Sequence, residues 1–263
     1  MRPASEERGR VAWITVAPVK GLALVAREEV QLELEGVRDN RRFYLVDARG
    51  RMVNGKVLGS LVRVQPEWLE QEGALVLRFP DGRLVAGQVE LGAEVVTDFF
   101  GRPVSGRLVE GPWSQALSQY AGRELRLVHA DPGQGPDRGP KATVSLVSTA
   151  ALQELASAAG VERVDPRRFR MLFGVEGVAA HAEDLWIGRR VRIGEAVVVP
   201  RGNVGRCAVT TCNPDTGRRD LDTLRALAAY RGGVETTERL PFGMWGEVVE
   251  PGRVRLGDPV EAA

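Results

Sequence analysis

Cys207 is the residue in this 263-residue chain with the most evident chemical potential. It is one of two cysteines, and it sits in Arg206-Cys207-Ala208-Val209-Thr210-Thr211, just ahead of the turn-forming Asn213-Pro214-Asp215-Thr216-Gly217. The fixed positive charge of Arg206 beside it favours the thiolate, the form of sulfur that binds metals and attacks electrophiles. If this segment is a strand, alternation sends Cys207 and Cys212 to opposite faces. That reading separates them by roughly 16 Å of extended chain, too far for a disulfide. A free cysteine is also a small hydrophobe, so the residue alone leaves a reactive thiol and a packing role both open.

The cations are the second chemical resource. Of 36 basic residues only Lys20, Lys56 and Lys141 are lysine, and arginine is the side chain that grips phosphate or carboxylate with two parallel hydrogen bonds. Arg168 and Arg170 share one face of an expected strand Phe169–Val175, with Phe169 on the other, and form a candidate two-pronged anion clamp; Arg167 then points away, toward Asp165. Arg41 and Arg42 open an apolar strand, where alternation lets one of them face a site. Thr210 and Thr211 either hydrogen-bond a polar ring or are strand formers. Each arginine has an alternative as a surface ion pair worth under about 1 kcal/mol. His129 and His181 are the only histidines, and neither has a second ligand at zinc spacing. No phosphate-binding glycine loop or nucleophile-elbow serine is present. Glu183 and Asp184, ahead of Trp186, are helix-cap acids or catalytic acids.

The elements that must position these residues fall into two β-rich units with a few helices. Val11–Val16, Val30–Leu34, Phe43–Val46, Leu75–Phe79, Arg83–Ala86 and Leu125–His129 read as short strands, with turns at Asp47-Ala48-Arg49-Gly50 and Pro80-Asp81-Gly82. Ser114–Ala121 reads as a helix. Residues 131–140 hold three prolines and three glycines, which marks a surface loop between the units. Thr143–Val147, Val191–Ile193 and Val197–Val199 are further strands. Thr149–Ala159 is a helix capped by Ser148 or Thr149, and a second helix runs through Leu221, Leu224 and Leu227 toward Arg231-Gly232-Gly233. Trp245–Val249 and Arg253–Leu256 are expected to close as a hairpin around Pro251-Gly252.

The Cys207 segment with Pro214-Asp215-Thr216-Gly217 resembles the signature of the MOSC family, domains related to the C-terminal part of molybdenum cofactor sulfurases. Ser145–Leu152, Arg168-Phe169-Arg170, Glu183–Gly188 and Leu256–Val260 follow in the family's order. Pro18-Val19-Lys20-Gly21 and Arg41–Asp47 are similar to the N-terminal barrel that accompanies such domains in the amidoxime-reducing component proteins. The resemblance implies a mainly β fold with a few helices, built as two distorted β-barrel domains: an N-terminal MOSC-associated barrel over 1–130 and a MOSC domain over 131–263. It implies a molybdopterin-type molybdenum cofactor with Cys207 as protein ligand of the metal. Lys20, Arg41, Arg42, Lys56, Ser148, Arg168, Arg170, Arg206, Thr210 and Thr211 are then its cofactor-binding residues. The implied activity is reduction of N-hydroxylated small molecules. Gly21, Asn40, Asn54-Gly55-Lys56, Met171-Leu172 and Gly205 depart from the residues that relatives often carry at these places. Two other functions are open to the same cysteine: a sulfur carrier or transferase working through a persulfide, and a carrier or storage protein for the cofactor.

Composition bounds the partners. A net charge of +1 gives no global attraction to nucleic acid or an anionic membrane. No run of about 18 apolar residues and no signal-peptide core occurs, so the chain is expected to be cytoplasmic and not membrane-bound. Two cysteines cannot supply the four ligands of a plant-type iron–sulfur cluster, so electrons are expected from a separate donor protein or a small reductant.

Overall fold

The computed structural model describes residues 8–134, 138–139, 141–236 and 238–262. The strands of the first half are β1 (Arg8–Val16), β2 (Val25–Arg27), β3 (Glu29–Leu32), β4 (Phe43–Asp47), β5 (Met52–Val53), β6 (Gln65–Leu69), β7 (Ala74–Arg78), β8 (Leu84–Gln88), β9 (Glu90–Phe99) and β10 (Arg102–Glu110). Helix α1 (Trp113–Ala121) and β11 (Leu125–Ala130) complete it. The second half contains β12 (Val144–Ser148), α2 (Thr149–Ala159), β13 (Phe173–Glu176), β14 (Val191–Ile193), β15 (Ala196–Gly205), α3 (Thr223–Arg231), β16 (Pro241–Glu250), β17 (Gly252–Arg255) and β18 (Pro259–Ala262). The protein is mostly β, with 43% of residues in strands, as the sequence implies.

Seven strands close into a barrel in the order β13-β12-β16-β15-β14-β18-β1, with β1 pairing back onto β13 and β2 extending it. Its interior is filled by alternating apolar residues such as Val11, Ile14, Leu146, Phe173, Val191, Val198, Met244 and Val260. Closure removes the unpaired edges of these strands. Gly174 is required here: a Cβ on it would overlap the indole of Trp13 on the neighbouring strand. The barrel borrows β1 from the start of the chain, so the two halves share a sheet.

The other unit is a distorted, open barrel. Its five-stranded sheet β5-β4-β11-β10-β9 and three-stranded sheet β6-β7-β8 curve around Phe43, Leu45, Leu75, Leu77, Leu125 and Leu127. Helix α1 closes this core with Trp113, which is fully buried and donates from Nε1 to the Leu75 carbonyl at 3.0 Å. Both of the expected turns join antiparallel neighbours, β4 to β5 and β7 to β8.

All three α-helices lie close to where the sequence places them, but the expected side-chain cap of α2 is not made: the Ser148 hydroxyl accepts from the His181 N–H instead. Helix α2 begins after Ser148 and ends at Gly160, whose φ of 66° is the left-handed stop favoured by glycine. Three expectations are overturned. Phe169–Val175 is not one strand: Pro166–Phe169 is a 3-10 turn and pairing starts at Phe173. Trp245–Val249 and Arg253–Leu256 do not form a hairpin, because β17 pairs antiparallel with β3 from the first half. The Cys207 segment is not a strand, as described below. Of the expected junction loop, residues 135–137 and 140 lie outside the described residues; Arg138 within it pairs with Glu238 at 2.7 Å. Among the described residues no helix is long and apolar enough to cross a membrane.

Candidate functional site

Strand β15 stops at Gly205, and Cys207 becomes the N-cap of a 3-10 turn over Ala208–Thr211, with Cys212 at its other end. The threonines explain the departure from the strand. Thr210 donates to the Cys207 carbonyl from both N–H and Oγ1, each at 3.1 Å, and Thr211 Oγ1 donates to the Ala208 carbonyl at 2.7 Å. Side chains that satisfy the carbonyls three residues back stabilise a turn against the ladder that β-propensity favours. Thr210 and Thr211 are therefore spent on the turn. Cys207 is left exposed, whereas Cys212 is buried, and both thiols are free.

The following loop is fixed just as locally. Asn213 Oδ1 accepts from the N–H groups of Asp215 and Thr216, and Gly217 takes a φ of 71°. Gly217 then lies directly on Gly59 of the first half, and a Cβ on either would overlap the other's carbonyl oxygen. Two more glycines continue this contact. A Cβ on Gly55 would sit 3.4 Å from Val209, and one on Gly21 would sit 3.1 Å from Asn54. Lys56, next to Gly55, is thereby carried on a segment stacked against the Cys207 turn, and Lys20, next to Gly21, on one stacked against Asn54 behind it. Lys20 is half-buried and Lys56 exposed.

The arginines divide into three groups. Arg168, 7% exposed, reaches from its 3-10 turn to Asp220 at 2.7 Å and to the Thr210 carbonyl at 3.5 Å, while its Nε–H is buried without an acceptor. Arg170 caps the same turn with a φ of 55°, and Arg41, with a φ of 58°, donates from Nη2 to the Arg170 carbonyl at 3.1 Å. Left-handed backbone costs a non-glycine residue free energy and concentrates at functional sites; here two such residues meet across the halves. Arg167 pairs with Asp165, as expected, and also with Asp215. Arg42 turns away: it bonds His129 Nε2 at 3.0 Å and stacks over Trp68 at 4.9 Å. Burial, then the Arg42 charge, hold His129 below the ordinary histidine range. Arg206 is spread over the rings of Phe169 and Phe242 and donates to the carbonyls of both, a structural brace under the turn.

Ser148 lies apart from this cluster. Its hydroxyl accepts from the His181 N–H at 3.1 Å and its own N–H donates to Glu183 Oε1 at 3.2 Å. Burial raises Glu183, which has no exposed surface, above the usual carboxylate range. Asp184 pairs with Arg231 at 2.6 Å, and Glu183 Oε2 is buried without a partner.

Between the halves lies a cleft of about 350 Å³, lined by Leu24, Val62 and Arg63 from the first half and by Arg168, Arg170 and Val209 from the second. Cys212 lines it, at the far end of the turn that Cys207 heads. Arg63, Gln65 and Cys212 carry no sequence signal for this role; only the folded contact between halves puts them here. Among the described residues no cluster of three or more His, Cys, Asp or Glu could hold a metal. A single exposed thiol is the soft ligand available.

Residues 135–261 match the MOSC domain and residues 8–116 match the MOSC N-terminal beta barrel domain. The chain belongs to the MOSC family. Its relatives include proteins named mitochondrial amidoxime-reducing component 1, from Xenopus laevis and Mus musculus. Each is 27% identical and aligns over 97% of this chain and 82% of its own length. Mitochondrial amidoxime reducing component 2 of Bos taurus is 27% identical over 98% of this chain and 86% of its own. Among solved structures, the YUAD protein from Bacillus subtilis aligns over 97% of this chain and 95% of its own, with 12% identity and a TM-score of 0.46.

Proposed function

We propose that this MOSC protein is a molybdenum-cofactor-dependent oxidoreductase that reduces N-hydroxylated small molecules. The observation that carries the reading is the exposed Cys207 thiol at the head of a turn whose Val209 and Cys212 line an arginine-bearing cleft between the two halves. These residues fit a pterin cofactor that brings its own sulfur ligands. One protein thiolate completes the soft donor set, and the buried Arg168 Nε–H lacks an acceptor that an anionic group would supply. The relatives' names, amidoxime-reducing component, support the substrate class.

When bound, the cofactor supplies two-electron oxygen-atom chemistry at a metal. The chain's own residues do the rest. Cys207 would hold the metal through Sγ, on a backbone fixed by the two Thr210 bonds to its carbonyl. Arg168 and Arg170, with Lys20 and Arg41 on the facing half, bind and orient anionic groups. Arg42, Lys56, Ser148 and Arg206 are weaker candidates for contact with the cofactor, since their segments serve the fold or lie at the rim. Electrons come from a separate donor protein.

Protein purified from a cofactor-competent host tests the reading: stoichiometric molybdenum, with benzamidoxime reduction by an artificial electron donor, is expected. Molybdenum-free protein carrying cyanide-releasable sulfur would favour the persulfide carrier instead, which the exposure of Cys207 equally permits. Molybdenum without reductase activity would favour cofactor storage. We place the protein in the cytoplasm and divide it into domains near residue 130, with β1 crossing into the second.

A further inference from the structure

A net charge of +1 hides an uneven distribution of charge around the turn between Cys207 and Cys212. Three segments border that turn. Loop 213–220 doubles back so that Arg219 pairs with Cys212 in an antiparallel bridge, and the Arg218 carbonyl accepts from the Asn213 N–H at 2.8 Å. At the other end, the Leu240 carbonyl accepts from the Arg206 N–H at 3.2 Å, and the Arg239 carbonyl would lie 3.1 Å from a Cβ on Gly205. From the first half, Val57 sits between Gly55, which faces Val209, and Gly59, which lies on Gly217. Arg218, Arg219 and Arg239 are all exposed and make no ion pair among the described residues. The acids of the same segments are already engaged: Asp215 with Arg167, Asp220 with Arg168, and Glu238 with Arg138. The surface left over is cationic, and Val57, 54% exposed, gives it an apolar contact point. None of the three arginines lines the cleft.

We propose that this surface is where the electron-donor protein docks, and that the donor presents an acidic face to Arg218, Arg219 and Arg239. Calling the partner an electron donor rests on the function proposed above; the preference for an acidic protein stands on the surface charge itself. Each turnover takes two electrons from the reduced donor, which is oxidised, and two protons from solvent; the substrate's N–O bond breaks and water leaves. Redox encounters bury little area and are steered by complementary charge, so a few unpaired arginines beside an exposed apolar residue are the chemistry such a partner needs. Because the arginines lie outside the cleft, donor and substrate approach by separate routes.

Flavodoxin, a small acidic redox protein, and cytochrome c, a basic one, are the probes, with binding read by calorimetric titration of the full chain. Flavodoxin is expected to bind at low salt at least tenfold more tightly than cytochrome c, and to weaken at least fivefold at physiological ionic strength as the charges are screened. The triple variant Arg218→Gln, Arg219→Gln, Arg239→Gln is expected to lose that preference while keeping its melting temperature and its benzamidoxime reduction by an artificial donor. No flavodoxin binding at low salt, equal binding of the two probes, or a preference that survives in the triple variant overturns the proposal. Loss of artificial-donor reduction in folded variant also overturns it, since the arginines would then serve the reaction itself. Co-sedimentation with phosphatidylserine vesicles that the same variant loses gives the surface to a membrane and overturns it too. Molybdenum content tests the proposed function separately: a flavodoxin preference in protein that never carries molybdenum sinks that function and upholds a surface for acidic proteins.

Discussion

The hydroxyls of Thr210 and Thr223 meet at 2.7 Å, and neither residue is more than 1% exposed. Thr210 Oγ1 uses its proton on the Cys207 carbonyl, so Thr223 supplies the proton between the two threonines. The first residue of α3 thereby braces the turn that Cys207 heads, with Asp222 capping the helix through the Arg225 N–H. Thr223→Val keeps the shape and removes the donor. It should lower stability by about 1 kcal/mol, seen as a lower urea midpoint, and raise the iodoacetamide rate at Cys207 measured in a Cys212→Ser background. Thr223→Ser should restore both. An unchanged midpoint and rate in the valine variant would remove Thr223 from the positioning of Cys207.

Cys207→Ser replaces a soft, readily ionised sulfur with a hard hydroxyl of nearly the same size. At an exposed turn position the fold should survive, while benzamidoxime reduction is lost and the metal's EPR signature changes. Cys212→Ser should retain the molybdenum but alter KM, because Cys212 lines the cleft rather than facing away from it. Full activity of Cys207→Ser with an artificial donor would end the ligand assignment.

Arg170→Ala removes a cation from the cleft wall but leaves the carbonyl that Arg41 grips. Loss of one charge-assisted contact is worth about 1.5–3 kcal/mol, so molybdenum occupancy should fall by roughly tenfold or more with little change in melting temperature. Metal analysis beside a thermal melt decides it; unchanged loading takes Arg170 off the cofactor.

What the sequence yields here depends on how local the cause is. The three helices were legible because their apolar spacing and the glycines that end them, Gly122, Gly160 and Gly232, lie within a few residues of one another. The closing hairpin was not: β17 finds its partner in β3, near the other end of the chain, and no local pattern encodes that choice. The β9–β10 hairpin went unseen because its turn has Phe100 at φ 56° and Gly101 at φ 87°, left-handed geometry without the usual Asn-Gly signal. At the site, alternating Ala-Val-Thr-Thr suggests a strand, and hydroxyl-to-carbonyl bonds overrule it. The family motifs brought Cys207, Arg168 and Arg170 to one region, whereas Arg63 and Thr223 became visible only through contacts between distant segments.

Glu183 gives a pH-dependent test of the buried network beneath α2. Burial raises it, so the folded protein keeps this proton to higher pH than the unfolded chain, whose carboxyl titrates near 4.5. Its contribution to stability is complete below that value and is lost as pH rises through the folded one. Glu183→Gln stays neutral and can still accept from the Ser148 N–H. The melting temperature of the variant minus that of the parent should therefore become more positive between pH 4.5 and pH 8. A difference that stays flat or falls over this range would show that Glu183 is not held protonated.

The two halves meet backbone to backbone where Gly59 lies on Gly217. The φ of Gly217 is 71°, so its replacement would mix backbone strain with overlap. Gly59 is not in the left-handed region, and a Cβ there meets the Gly217 carbonyl, a backbone atom that cannot rotate aside. Gly59→Ala isolates the close approach and should cost about 1–3 kcal/mol, as overpacking does. Because Gly217 lies in the loop that follows the Cys207 turn, the same variant should also weaken molybdenum retention. Gly50→Ala is the control: its φ of 73° imposes left-handed strain, but nothing stands within 4 Å of the new methyl. It should lower the melting point without touching molybdenum retention. If Gly59→Ala melts normally and retains molybdenum normally, the close approach of the halves does not depend on this glycine.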